Sequence, residues 1–223
     1  MAGVSVSLLA AGAVAVISGG VLWRKRVARA REHFLKHYDF SRLLDKRLAT
    51  RRPELSPAQR KAIFHGLRDW FEINHRAGRR KLSMPSQAVD DAWHEFILFT
   101  RGYQDFCRKG LGRFLHHVPA EAMTRPTQAQ DGLKRSWRHA CAHEGIDPAS
   151  PTRLPRLFAI DATLGLADGF SYQLDCLKAG AAGSGAYCAG HIGCGGGCSS
   201  CSSDSGGSDS GCGGGCGGGC GGD

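Results

Sequence analysis

The pattern of apolar and polar positions changes character several times along the chain. Residues Ala2 to Trp23 run without a charge. As a helix rising ~1.5 Å per residue this run would measure ~33 Å, against ~30 Å of bilayer hydrocarbon. Trp23 closes it where an interfacial aromatic belongs, and Arg24, Lys25, Arg26, Arg29 and Arg31 follow at once. The pattern predicts a transmembrane anchor over 1–23. The charges follow the run instead of preceding it, unlike a cleaved signal peptide. The expected topology is single-pass, with the N-terminus outside and the core and tail in the cytoplasm.

From Val27 to about Thr50 apolar positions return at helical spacing: Phe34, Leu35, Tyr38, Leu43, Leu44 and Leu48. Residues 24–54 read as a basic helical stalk, broken at Arg51-Arg52-Pro53. Ser56-Pro57 opens the next helix, with Ser as cap and Pro at the first helical position. Ile63, Phe64, Leu67, Trp70 and Phe71 form its buried stripe, and Gly78 ends it. Ser86 starts a helix with Val89, Ala92, Trp93, Phe96 and Ile97 on its apolar side. Tyr103, Phe106 and Cys107 suit a short further helix. Gly110 and Gly112 then turn the chain towards His116 and His117, and Pro119 ends that stretch.

Thr127 is placed to cap another helix reaching about Glu144, with Leu133, Trp137, Ala140 and Cys141 inward. Pro148, Pro151 and Pro155 predict a loop. Leu157–Ile160 and Tyr172–Leu174 read as short apolar pieces of a small hairpin or of irregular packing. The expected fold is therefore mostly α: a transmembrane helix, a stalk, a small helical core over 55–178, and a tail. The tail, 179–223, is so rich in Gly, Ser and Cys that no packed core can form from it, and it is expected to be a disordered coil.

Charge and cysteine usage narrow the function classes. The chain carries a net charge of +9, with Lys and Arg crowded into 24–81. Beside an apolar anchor this favours anionic lipid first and nucleic acid second. No RNP, zinc-finger or helix-turn-helix pattern supports a nucleic-acid binder. Of ten Cys, seven lie in the tail, which is not how a small secreted domain staples its core.

Candidate chemistry concentrates in 84–119. Asp90 and His94 stand four apart and share a helical face. Cys107 and one of His116 or His117 would complete a tetrahedral set if the loop folds back. The candidate zinc ligands are Asp90, His94, Cys107 and His117. A packed core in which Asp90 hydrogen-bonds the imidazoles uses the same residues without a metal. A thiol enzyme would use Cys107 as nucleophile, His94 or His117 as base and Asp90 to orient the ring. In the tail, Cys194, Cys198, Cys201, Cys212, Cys216 and Cys220 recur at short, mostly four-residue spacing. Such soft thiolates suit zinc or Cu(I); a low-complexity tail with free thiols is the alternative. The pairs His33/His37 and His139/His143, and also His65 and His75, read as surface or satisfied groups.

Pro85-Ser86, Val89-Asp90, Trp93-His94, Thr100, Tyr103, Phe106-Cys107, Gly112, His117 and Pro119 resemble the glycine-rich domain-containing proteins, known from bacteria and, more distantly, plants. The resemblance covers about 55–175, is sharp in 84–119, and accords with the Gly-rich tail. Phe96 stands where that family's pattern carries a second His. The resemblance implies a domain class and no reaction. Three function classes follow: a membrane-anchored binding or scaffold module for a protein partner the sequence does not name, a metal-dependent or thiol enzyme, and a nucleic-acid binder through 24–81.

Overall fold

The computed structural model of the protein describes residues 2–118, 126–174 and 187–188. These form seven α-helices: α1 Ala2–His37, α2 Ser41–Arg51, α3 Pro57–Ala77, α4 Gln87–Ile97, α5 Thr100–Phe106, α6 Pro126–Glu144 and α7 Arg156–Leu164. A single π-helical turn, Cys107–Leu111, continues α5. Two-residue strands, β1 Tyr172–Gln173 and β2 Tyr187–Cys188, pair in parallel. The Leu157–Ile160 piece expected in a hairpin lies inside α7, and the partner of Tyr172 comes from beyond residue 179.

Helix α3 runs through the middle of the domain, and its start follows its sequence closely. Ser56 Oγ accepts from the Gln59 N–H, Gln59 Oε1 accepts from the Ser56 N–H, and Pro57 takes the first helical position. Ile63, Leu67, Trp70, Phe71 and Ile73 are buried along it. Around Phe71 the core is aromatic. The Phe106 ring packs against Phe34, Tyr38, Phe40, Phe71 and Phe96 at centroid distances of 4.7–5.7 Å. Each such pair adds about 0.5–1.5 kcal/mol beyond the area it buries.

Two expectations for the N-terminal region change. First, α1 is 36 residues long, yet no helix among the described residues is long and apolar enough to cross a membrane. The run is uncharged, but Ala, Gly and Ser fill much of it, and such small side chains bring little transfer free energy. The transmembrane anchor over 1–23, the single-pass topology, the outside N-terminus and the cytoplasmic placement of core and tail are therefore set aside. The membrane as a partner of residues 2–23, and anionic lipid beside it, lose their basis with the anchor.

Second, residues 24–54 are not a stalk along their whole length. Leu35, Phe40, Leu44 and Leu48 are buried in the same cluster as Phe71 and Phe96. The last turns of α1 and all of α2 belong to the domain, because their apolar stripe has a partner in α3, α4 and the π turn. A Cβ at Gly110 would collide with Leu35, so the π turn approaches α1 as closely as a glycine permits.

The start of α4 is tied to α7. Ser86 caps the helix by accepting from the Val89 N–H, and its hydroxyl donates to Asp161 Oδ1 at 2.6 Å. The buried Asp161 carboxylate also accepts from the backbone N–H groups of Gln87, Ala88 and Phe170. A carboxylate at a helix N-terminus meets both the orphan donors and the positive end of the dipole. This contact holds α4, the helix that carries the candidate site, in one orientation.

Candidate metal centre

Asp90 and His94 project from one face of α4. Asp90 Oδ2 lies 3.4 Å from His94 Nδ1. His117 reaches them from the segment after the π turn, and its Nε2 lies 3.0 Å from Asp90 Oδ1. The His94 and His117 rings stand 4.2 Å apart between centroids. One ligand atom from each of Asp90, His94 and His117 falls within 4.8 Å of the others. Two imidazoles separated by 23 residues in sequence therefore share one carboxylate.

The return of His117 has an identifiable cause. Gly112, at φ 70°, reverses the chain after the π turn. The Tyr103 hydroxyl then donates to the Leu115 carbonyl at 2.5 Å and accepts from Trp93 Nε1 at 3.1 Å. The Trp93 ring meets the His117 ring edge to face at 4.7 Å. Burial holds the Tyr103 hydroxyl far above the usual phenol range, so it stays a neutral donor.

The site is half-buried and lopsided. The Asp90 and His117 side chains are 19% and 15% exposed, whereas His94 is 38% exposed. His94 Nδ1 is itself buried and has no hydrogen-bond partner, because Asp90 Oδ2 is near but poorly aligned. No Lys or Arg among the described residues pairs with Asp90. The acids on either side are engaged elsewhere. Asp91 binds Arg51 and Arg52, and Glu95 binds Arg47 at 2.6 Å.

This geometry fits a small divalent cation. Tetrahedral ligands ~2.0–2.1 Å from zinc lie ~3.3 Å from one another. The two His–Asp90 separations, 3.0 and 3.4 Å, are near that size but run to different carboxylate oxygens, Oδ1 and Oδ2, and the three ligand atoms lie within 4.8 Å of one another. An ion between the three groups would give His94 Nδ1 the partner it lacks.

The fourth expected ligand, Cys107, is not among the three. It is fully buried beside Tyr103 and the Leu115 backbone, and burial pushes its thiol up. It braces the segment that carries His117. His116, the alternative to His117, is exposed and packs on Phe114. The tail ligands Cys194, Cys198, Cys201, Cys212, Cys216 and Cys220 lie outside the described residues. His143 is no surface group. It is 16% exposed, 3.4 Å from Asp69 and 3.8 Å from Glu72. Its partners lie more than 70 residues away, so no local spacing signals them. The Trp93–Tyr103–Leu115 chain was likewise not foreseen, although its two aromatic members stand out in the sequence.

Fold and cluster together define a mostly helical domain built round an Asp–His–His group. A family model described as UCP032817-like matches residues 30–192. The chain belongs to this family, which is uncharacterised. The match begins in the last turns of α1, where burial begins, and ends beyond β2. No curated protein and no solved structure matches the chain.

Proposed function

We propose that this domain is a binding module built round a divalent-metal centre, with Asp90, His94 and His117 as the ligands and zinc as the ion. The observation that carries the reading is a carboxylate facing two imidazoles with no Lys or Arg beside it among the described residues. Three protein ligands leave a fourth position, and the exposure of His94 opens it to a group on a partner. The residues that resemble the glycine-rich domain-containing proteins surround this cluster, although Phe96 stands where that pattern carries a second His. Asp90, His94 and His117 make the cluster, and Trp93, Tyr103 and Cys107 frame it. We extend that resemblance to a shared site architecture.

A binding role is favoured over catalysis because Asp91 and Glu95, the further acids of α4, are held by arginines. A metal-dependent enzyme remains the alternative, supported by the open fourth position. A thiol enzyme is disfavoured, since Cys107 is buried with its thiol pushed up and a nucleophile needs the thiolate. A nucleic-acid role through 24–81 is weakened because Arg47, Arg51, Arg52 and Arg60 are already paired with carboxylates. The tail cysteines form a separate proposed thiolate site for zinc or Cu(I).

The test is elemental analysis of the full chain beside His94→Ala and His117→Ala, repeated with cobalt(II). The expected result is one ion per chain without thiolate charge-transfer bands, over and above any that the tail cysteines hold with such bands, and lost in both variants. Equal metal content in all three proteins would overturn it.

A further inference from the structure

Beyond the ligands, the contacts around His117 form a closed circuit. Trp93 Nε1 donates to the Tyr103 hydroxyl, and that hydroxyl donates to the Leu115 carbonyl. The chain runs from Leu115 through His116 to His117, and the His117 ring returns to the face of Trp93 at 4.7 Å. Trp93 neighbours His94 on α4. The circuit thus joins the helix that holds two ligands to the loop that holds the third, and only one side-chain atom in it both accepts and donates.

We propose that Tyr103 is a positioning residue of the metal centre: its hydroxyl sets where His117 stands over Asp90. The inference rests on the metal reading above. Three observations favour it over a purely structural role. The segment 113–118 forms no helix or strand, so no regular backbone ladder fixes its height. The hydroxyl is buried, and its contacts with Trp93 and the Leu115 carbonyl both lie within this circuit. Cys107 is packed against the same hydroxyl and the same Leu115 backbone, which closes off movement on that side.

The chemistry asked of Tyr103 is modest. An ion held by three ligands is sensitive to the placement of each one. Groups that orient a ligand without touching the metal typically change affinity by about 10- to 100-fold when removed. Tyr103→Phe keeps the ring and its packing on Phe96 and Phe114 and removes only the hydroxyl. It leaves the Leu115 carbonyl without its donor, so the loop loses its tie to α5.

The experiment is cobalt(II) titration of the full chain, read by its visible spectrum, for the wild type, Tyr103→Phe and Ser136→Ala. Ser136 is a buried hydroxyl on α6 that binds the Ser83 and Gly132 carbonyls, and its loss reports general loosening. The expected result is about 10-fold weaker binding and an altered ligand-field spectrum in Tyr103→Phe, with Ser136→Ala unchanged in both. Where Tyr103→Phe does not fold, Trp93→Phe tests the circuit at its other end, since it removes the indole donor to the Tyr103 hydroxyl and trims the ring that meets His117. A smaller loss of affinity is then expected. Wild-type affinity and spectrum in the folded variant would overturn the positioning role and leave the metal reading standing. Absence of cobalt from the His94 and His117 ligands in the wild type would overturn both.

Discussion

The domain contains two histidine–carboxylate clusters, and their difference is instructive. At one, Asp90 faces His94 and His117 from α4 and the loop after the π turn. At the other, on α3, α6 and α7, Asp69 and Glu72 face His143. Each holds a buried imidazole Nδ1 with no hydrogen-bond partner. In the second cluster, however, Arg156 donates to Asp69 at 2.8 Å. That cluster brings its own cation, and the pairing ties α7 to α3. The first cluster has a second imidazole where the guanidinium would be. Buried carboxylates are generally paired with a cation or bound to a metal. The two sites satisfy that demand in different ways.

Metal content offers the largest contrast. His94→Ala or His117→Ala should weaken zinc by more than ~100-fold, beyond what loss of an orienting group does. His143→Ala should leave the zinc content of the protein unchanged. Elemental analysis checks both, and zinc lost equally in all three variants would erase the distinction between the clusters.

Stability measurements sharpen it. Free zinc at about 100 times its Kd for this centre should stabilise the wild type by up to ~2.7 kcal/mol, the limit for a site formed only in the folded state. The gain should vanish in His94→Ala and persist in His143→Ala, as read by urea denaturation with and without chelator.

Without metal the order reverses. Asp69→Ala takes from the largely buried His143 its nearest carboxylate and from the exposed Arg156 its partner, and should cost about 1–3 kcal/mol. Asp90→Ala in metal-free protein should cost less, because no Lys or Arg among the described residues depends on it. Urea midpoints of the two variants decide the matter.

The smallest effect concerns Cys141, two residues before His143 on α6. Burial, with Glu144 and Asp147 adding to it, pushes its thiol from 9.0 up to about 11. The unfolded chain therefore releases this proton first. Stability contributed by the neutral thiol is present below pH ~9 and declines as pH rises towards ~11. Cys141→Ala should flatten that decline in a pH series of thermal melts.

Much of the fold was legible because helices declare themselves locally. Ser56, Pro57, Gln59 and Gly78 mark the ends of α3 through contacts within a few residues, and the stripe from Ile63 to Phe71 repeats with the helical turn. Asp90 and His94 were legible for the same reason, being one turn apart. The N-terminal run lacks charge, but its Ala, Gly and Ser residues carry little apolar surface, and lack of charge alone does not make a membrane span. For residues 34–48 periodicity shows that the helices have an apolar face, without showing what covers it.

The sequence by itself determined the helices, their caps and the supply of ligand types between Met84 and Pro119. Those depend on contacts between near neighbours. Only the tertiary structure decided that His117 meets Asp90 while Cys107 does not, and that Arg156 answers Asp69 while no arginine among the described residues answers Asp90. These pairings join residues 27 and 87 positions apart. They depend on how α4, α7 and the loop after Gly112 pack together, which no periodicity within a single element encodes.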